Sequence, residues 1–515
     1  MDATVGWTKE IFMLSRLSRW MVLCCFVFAV LFSAVAHAAE ERPNILFIYT
    51  DDHSYRTVGA YPQSYPWVKT PTIDRLAREG VRFESAYIGT WCMPSRATLL
   101  TGHHQFGVES MRMEGPYPGS TYDPEQCQFW PKTFRDNGYF TAHVGKWHTG
   151  TDTGYGRDWD FQIVWNRPKH TETNQYYYYD QPITYQGGET KILERYSTDQ
   201  YTDWAIDLIK GEGRPENKPW YLWLCYGAVH SPFTPADRHM KEYAGIDFDT
   251  PADIFPVRPG KPDWAQKVNA WGRGPGGRPE ALGRSLTSYV RQYHQGVLAI
   301  DEGVNRLLAT LEETDQRKNT LVVFTSDQGL AWGQHGFRGT KVAPYDSNIR
   351  SPLIVSFPGK LPEGKVVEKP VGGVDIVPTF FSFAGIDLPW EMHGNDLTPL
   401  LEDANADWPH PMLLTGLGRR YGSDTNVIPQ GEEAMHGPVP WYVMLREGKY
   451  KYIRPLIEDL EELYDLKADP DELDNLAVKP EHQATLKRLR ATAIAELRKD
   501  NAGFVDSMPP VRQGL

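Results

Sequence analysis

The chain is poor in cysteine: five in 515 residues. Two of these, Cys24 and Cys25, fall inside an apolar N-terminal run, which leaves Cys92, Cys127 and Cys225. A scaffold stapled by disulfides is therefore excluded, and a hydrophobic core must hold the fold. Basic excess is also missing. Lys and Arg number 54 against 66 Asp and Glu, a formal charge of −12. That excludes a protein organised around a basic nucleic-acid-binding face. An anionic ligand would need local positive charge in a cleft, set against the global field. Internal repeats and low-complexity tracts are absent, and beyond residue 36 no apolar run is long enough to span a membrane.

The one long apolar run reads as an export signal, with a retained membrane anchor the alternative. Arg16 and Arg19 precede Trp20–Ala36, and Ala36-His37-Ala38 is a small-x-small cleavage site followed by polar residues. This grammar predicts a signal peptide over residues 1–38, starting at Met1 or Met13. It places the mature protein in the periplasm or outside the cell, with no stable membrane span. In the mature chain Cys127 and Cys225 could pair, a connectivity that sequence alone does not fix.

What is present is an alternation of buried strands and amphipathic helices. Pro43–Thr50, Phe140–Val144, Trp220–Leu224, Leu321–Thr325 and Leu353–Phe357 are short apolar runs, as in strands covered on both faces. Between them, Tyr201, Trp204, Ala205, Leu208 and Ile209 recur at helical spacing behind a Thr198 cap. Val297, Ile300, Val304, Leu307, Leu308 and Leu311 form a second stripe. The pattern predicts an α/β fold with a large, mostly parallel sheet between helices over residues 43–403. After about residue 404 the character changes. Tyr442–Leu445 and Lys449–Ile453 around Glu447-Gly448 read as a hairpin, and residues 481–499 as a terminal helix. Residues 404–515 are expected to form a small α+β subdomain with a short antiparallel sheet. The Pro/Gly-rich stretch 251–283 reads as a surface insertion loop. The aromatic stretch 155–195, with Tyr176–Tyr179, reads either as the wall of a sugar-binding cleft or as a packed excursion.

Chemistry-bearing residues follow the strand ends, where open α/β sheets gather ligands. Asp51-Asp52 succeed the first strand, and Ser326-Asp327-Gln328-Gly329 succeed a later one. Carboxylates and an amide sharing one position suit Ca²⁺, with Mg²⁺ the alternative, and do not suit Zn²⁺. In Trp91-Cys92-Met93-Pro94-Ser95-Arg96, Pro94 fits a first helical turn. Cys92 then sits at the positive end of the helix, with Arg96 one turn on. Lys146 and His148 share one side of an extended segment, and His143 points to the other. Asp51, Asp52 and Asp327 would be balanced by a divalent cation and by the charges of Arg96 and Lys146, a setting able to receive an oxyanion.

Cys92–Gly102 resembles the activation signature of type I sulfatases, in the alkaline-phosphatase-like superfamily. Gly138–His148, ending Gly-Lys-Trp-His, resembles that family's second signature, and Glu462-Leu463-Tyr464-Asp465-Leu466 resembles its C-terminal wording. The resemblance implies that a formylglycine-generating enzyme converts Cys92 to formylglycine, the nucleophile as its hydrate. It implies metal ligation by Asp51, Asp52, Asp327, Gln328 and residue 92, although most members carry Asn or His where Gln328 stands. It further implies that Arg96, Lys146 and Lys341 hold sulfate, that His230 protonates the leaving alcohol, and that His148 accepts a proton for sulfate release. The implied activity is hydrolysis of a sulfate ester, on a sulfated carbohydrate given the export signal and the aromatic loops. The alternatives are a phosphate or phosphonate ester hydrolase of the same superfamily and a non-catalytic carbohydrate-binding protein. A Cys92 thiolate nucleophile is disfavoured by the neighbouring carboxylates.

Overall fold

The structure, a computed structural model, describes residues 42–112, 121–126, 128–173 and 175–512. The expected signal peptide (residues 1–38) and Cys127 lie outside the described residues, and Cys225 is a free, buried thiol.

The strands of the main sheet are β1 (Asn44–Thr50), β2 (Val81–Tyr87), β3 (Phe140–Trp147), β4 (Phe161–Asn166), β5 (Gln181–Tyr185), β6 (Thr190–Leu193), β7 (Trp220–Cys225), β8 (Thr320–Ser326), β9 (Ser351–Ser356), β10 (Lys365–Val367) and β11 (Val371–Gly372). They run in the order β10-β2-β9-β8-β1-β7-β3-β4-β5-β6, with β11 also on β2. The centre, β8-β1-β7-β3-β4, is parallel. The flanks turn antiparallel at β9 and at β5.

Alternation along β1 explains the two layers. Ile45, Phe47 and Tyr49 enter one core, while Leu46 and Ile48 enter the other. Both sets are fully buried, so the strand reads as a continuous apolar run. The principal helices are α1 (Pro71–Arg78), α2 (Cys92–Thr101), α3 (Ser197–Ile209), α4 (Leu286–Glu313), α5 (Ile376–Ala384) and α6 (Gln483–Lys499). Residues of α1, α3 and α4 fill the core on the Leu46 face, and residues of α2 and α5 fill the other. This is the expected architecture of a mostly parallel sheet sandwiched by helices.

The C-terminal strands β12 (Met412–Gly416), β13 (Tyr442–Glu447), β14 (Tyr450–Pro455) and β15 (Glu462–Asp465) form a four-stranded antiparallel sheet. The hairpin turns at Gly448, whose φ of 53° suits glycine. Val443 and Leu445 pack under α6, with Leu489, Ala493 and Leu497. Tyr442 and Met444, one residue out of phase, join the main core instead. Among the described residues no helix is long and apolar enough to cross a membrane.

Two local expectations change. Thr198 is not the cap: α3 begins at Ser197 behind Tyr196, and Thr198 is buried inside the first turn. Residues 251–283 are more than a surface loop. They contain a short helix, Asp263–Gln266, and two strands of a small three-stranded sheet. Trp264 and Trp271 are buried there, and the area of two indoles outweighs the Pro/Gly signal for a loose excursion.

Candidate active site

Strand register assembles the site. Thr50 of β1 lies beside Ser326 of β8, so Asp51-Asp52 and Asp327-Gln328 leave the sheet side by side. Asp52 adopts φ 55°, left-handed backbone uncommon for a residue with a Cβ and frequent at functional turns. Its N–H donates to Asp327 Oδ1 at 2.8 Å, which locks the two turns together. The next strands across, β7 and β3, carry Cys225 opposite Gly145. Lys146 follows, two residues past Val144, where the sequence reading ended a strand that in fact runs on to Trp147. Helix α2 opens at Cys92 after the extended Trp91 and runs with all ten residues buried.

These elements converge on Cys92. Its Sγ lies 3.1 Å from Lys341 Nζ and 3.5 Å from Asp51 Oδ1. Lys341 Nζ also donates to Asp52 Oδ1 at 2.7 Å. Lys146 Nζ donates to Asp51 Oδ2, which accepts from Arg96 Nη2 at 2.9 Å as well. Arg96 Nη1 bonds the Lys146 carbonyl at 3.1 Å, so this buried guanidinium ties the carboxylates to β3. His230 Nε2 stands 3.7 Å from Asp52 Oδ2. Its Nδ1 lies 2.8 Å from the Ser231 carbonyl, which can only accept, so the ring carries its proton on Nδ1. His148 is buried and its Nε2 accepts from Arg167 Nη1 at 3.1 Å. His143, on the opposite face of β3, is enclosed by Trp147, Trp159 and Trp223, as its phase predicts.

Every sequence-selected residue is thus in or beside one pocket. Two that the sequence did not single out join it. Tyr177 stacks on His230 with ring centroids 3.9 Å apart and 3° between planes, and its hydroxyl accepts from Lys146 Nζ at 3.3 Å. Arg167 reaches His148 from the end of β4. The four-tyrosine run signalled Tyr177. Arg167 carried no signal beyond following an apolar strand.

The electrostatics are unbalanced. Burial opposes ionisation of Asp51, yet Lys146 and Arg96 hold its carboxyl well below the usual range. Burial raises Asp52 despite Lys341. Burial, with the charges of Asp51 and Asp52, pushes Asp327 up to about 7. Burial and Asp51 push the Cys92 thiol up to about 12. An unmodified Cys92 is therefore a thiol at neutral pH and a poor nucleophile. Burial, then Lys341, keeps His230 neutral, and burial with Arg167 and Lys146 does the same for His148.

Two buried oxygens, Asp327 Oδ2 and Gln328 Oε1, have no hydrogen-bond partner. Buried polar atoms are seldom left so. Asp51, Asp52, Cys92 and His230 each bring a ligand atom to within 4.8 Å of the others. Three carboxylates and an amide oxygen, two of whose acceptor atoms are these orphans, fit a hard divalent cation. Gln328 Nε2 donates to Asp52 Oδ1, so the longer side chain does reach the carboxylate cluster.

The sulfatase family model matches residues 43–386. An N-acetylglucosamine-6-O-sulfatase of Bacteroides thetaiotaomicron is 29% identical over 513 residues, covering 87% of this chain and 85% of that protein. The human N-acetylglucosamine-6-sulfatase is 27% identical over 468 residues, with 85% and 82% covered. A solved structure of a protein in complex with its substrate D-glucosamine-2-N,6-O-disulfate superposes with a TM-score of 0.76 at 26% identity. It covers 91% of this chain and 100% of its own. With the two signatures, the strand-end carboxylates and this match in view, the chain belongs to the sulfatase family and is a sulfuric ester hydrolase.

Proposed function

We propose that the protein is an exported carbohydrate sulfatase, acting at residue 92 on a sulfate ester borne by a sugar. The observation that carries this reading is the convergence of Lys341 and Lys146 on the Cys92 pocket, where Lys341 Nζ lies 3.1 Å from Sγ, beside carboxylates whose excess acceptors call for a cation. The names of the relatives put 6-sulfated N-acetylglucosamine first among sugars to try. Residues 1–38 serve as the signal peptide, 43–403 as the catalytic domain and 404–515 as a C-terminal subdomain.

Asp51, Asp52, Asp327, Gln328 and residue 92 would hold Ca²⁺ or Mg²⁺. That ion, together with formylglycine made from Cys92, would supply charge neutralisation and the nucleophile. The remaining work belongs to the side chains. Lys341 and Lys146 exchange their carboxylate contacts for sulfate oxygens when the anion enters, and so stabilise the charge that builds on them. Arg96 stays on Asp51 and the Lys146 backbone and keeps both in place. His230, held by Ser231 and stacked on Tyr177, presents Nε2 to the pocket. An arriving anion favours its protonated form, which then donates to the departing sugar hydroxyl. His148 handles the second proton, at product release. Tyr177 and the aromatic wall exclude water and offer a face for a sugar ring.

The experiment is turnover of defined sulfated monosaccharides by mature protein produced with a formylglycine-generating enzyme. N-acetylglucosamine 6-sulfate, its positional isomers, and an aryl sulfate and aryl phosphate pair form the panel. Desulfation of a sugar supports the reading. Preference for the phosphate, or sugar binding without turnover of any ester, contradicts it.

A further inference from the structure

His230 sits on a turn that a neighbouring segment grips at both ends. The His230 carbonyl accepts the Phe233 N–H at 3.0 Å and the Tyr178 hydroxyl at 2.6 Å. The Thr234 carbonyl, past the far end of the turn, accepts the Tyr196 hydroxyl at 3.0 Å. Tyr178 and Tyr196 are both buried, and their rings stack with centroids 5.7 Å apart. The gripping segment is itself anchored to the start of α3. The Ser197 N–H donates to the Tyr178 carbonyl at 2.8 Å, and the Ser197 hydroxyl donates to the Tyr177 carbonyl at 2.8 Å.

A hydroxyl at that carbonyl acts on the imidazole through the main chain. The His230 carbonyl belongs to the peptide that leads to Ser231, and the Ser231 carbonyl takes the Nδ1 proton at 2.8 Å. Fixing that peptide fixes the acceptor that selects the tautomer, and with it the nitrogen that faces Asp52. Tyr177, the residue before Tyr178, covers one face of the ring. Two consecutive side chains of one loop therefore set the ring plane and the main chain behind it. A general acid must lie within hydrogen-bond reach of the atom it protonates, and a misplacement of about 1 Å can cost about 100-fold. The Phe233 N–H already pairs the His230 carbonyl, so the Tyr178 hydroxyl is not required to satisfy it.

We propose that Tyr178 is a positioning residue for leaving-group protonation. Its hydroxyl, through the His230 carbonyl, holds the imidazole where Nε2 meets the departing oxygen, and it touches no substrate. As the S–O bond breaks, the Nε2 proton passes to the ester oxygen, which leaves a neutral ring and a whole alcohol. The inference deepens the proposed function and rests on its assignment of His230 as the acid.

The test is a series of aryl sulfates whose phenols range from strong to weak acids. Metal-loaded, formylglycine-bearing enzyme is compared as wild type, Tyr178→Phe, His230→Gln and the double variant. Good leaving groups depart without a proton, whereas poor ones need it. His230→Gln should lose about 100-fold or more on the poorest phenol and little on the best. Tyr178→Phe should repeat the pattern on a smaller scale, about 10-fold on the poorest and within about twofold on the best, with the thermal midpoint nearly unchanged. Added to His230→Gln it should cost nothing more, because a residue that acts through His230 has no effect once His230 is gone. Tyr196→Phe, at the other end of the turn, takes its place if Tyr178→Phe fails to fold, with the same pattern expected. A merely structural tyrosine would slow every ester alike. An equal loss across the series, or an additive loss in the double variant, overturns the inference and leaves the role of His230 standing. A flat response of His230→Gln removes the acid assignment, and the inference with it. The series contains no sugar, so failure of the carbohydrate reading is scored separately.

Discussion

Two clusters of buried charge lie in this molecule, and they are built on opposite terms. In one, Lys451 from β14 donates to Asp346 Oδ1 at 2.5 Å, to Glu472 Oε1 at 2.8 Å and to the Pro344 carbonyl at 3.0 Å. Glu472 Oε2 accepts from the Asp346 N–H at 2.6 Å, the Tyr87 hydroxyl donates to Asp346 at 2.7 Å, and Arg350 approaches its other oxygen. Every carboxylate oxygen there has a partner. In the other, around Cys92, carboxylates crowd one another, Asp327 Oδ2 and Gln328 Oε1 are left over, and lysines are drawn onto aspartates. The carboxylates of both clusters are buried. The difference is that the first is complete within the protein and joins the C-terminal strands to the main domain, whereas the second leaves buried acceptors without a hydrogen-bond partner. Saturated charge marks architecture, and unsaturated charge marks chemistry.

The contrast is broken most severely at residue 92. Cys92→Ala should lower turnover by about 10⁴-fold or more, the scale on which nucleophiles act, and leave the thermal midpoint nearly unchanged. Steady-state kinetics beside calorimetry measure both. Asp346→Asn should do the reverse. Breaking a buried, fully bonded pair removes about 3–5 kcal/mol of stability, read by denaturant unfolding, while any folded fraction keeps wild-type kinetics per active site. Lys341→Met should fall between, with kcat down about 10²- to 10³-fold for loss of one preorganised donor.

The smallest effect sharpens the comparison. Asp327 has a folded pKa of about 7, above its ordinary value of 3.8, through burial and the charges of Asp51 and Asp52. A carboxyl raised in this way contributes stability below its unfolded pKa, and that stability is lost as pH rises through 7. In metal-stripped protein, stability should therefore decline between about pH 4 and pH 7, and Asp327→Asn should flatten the decline. Saturating Ca²⁺ should flatten it in wild type. Identical slopes with and without the carboxylate would mean the site is not strained in this way.

Much of this was legible in the sequence because strand ends carry the chemistry. Asp51-Asp52 and Asp327 each follow an apolar run, and parallel register brings those runs together without further information. The Cys92 segment announced itself through Pro94 and the helix that follows. Burial on both faces of β1 was visible as an uninterrupted apolar stretch, and the hairpin at Gly448 as a turn between alternating residues. Arg167 was not legible, because what recruits it is the pairing of β4 with β3, a contact between segments with no shared motif. The buried indoles of residues 251–283 were masked by glycine and proline, which report backbone freedom and say nothing of what a neighbouring tryptophan covers. Thr198 failed as a cap for a similar reason: the tertiary packing of Ser197 against Tyr177 sets where α3 begins.

The central claim is that residue 92 works after losing its sulfhydryl, inside a pocket whose charges await an anion and a cation. Mass spectrometry of the peptide spanning Trp91–Arg96, from preparations of known specific activity, tests it directly. Activity should rise in proportion to the fraction of peptide that is lighter than encoded and inert to thiol alkylation. Fully active protein in which Cys92 remains a quantitatively alkylatable thiol would contradict it.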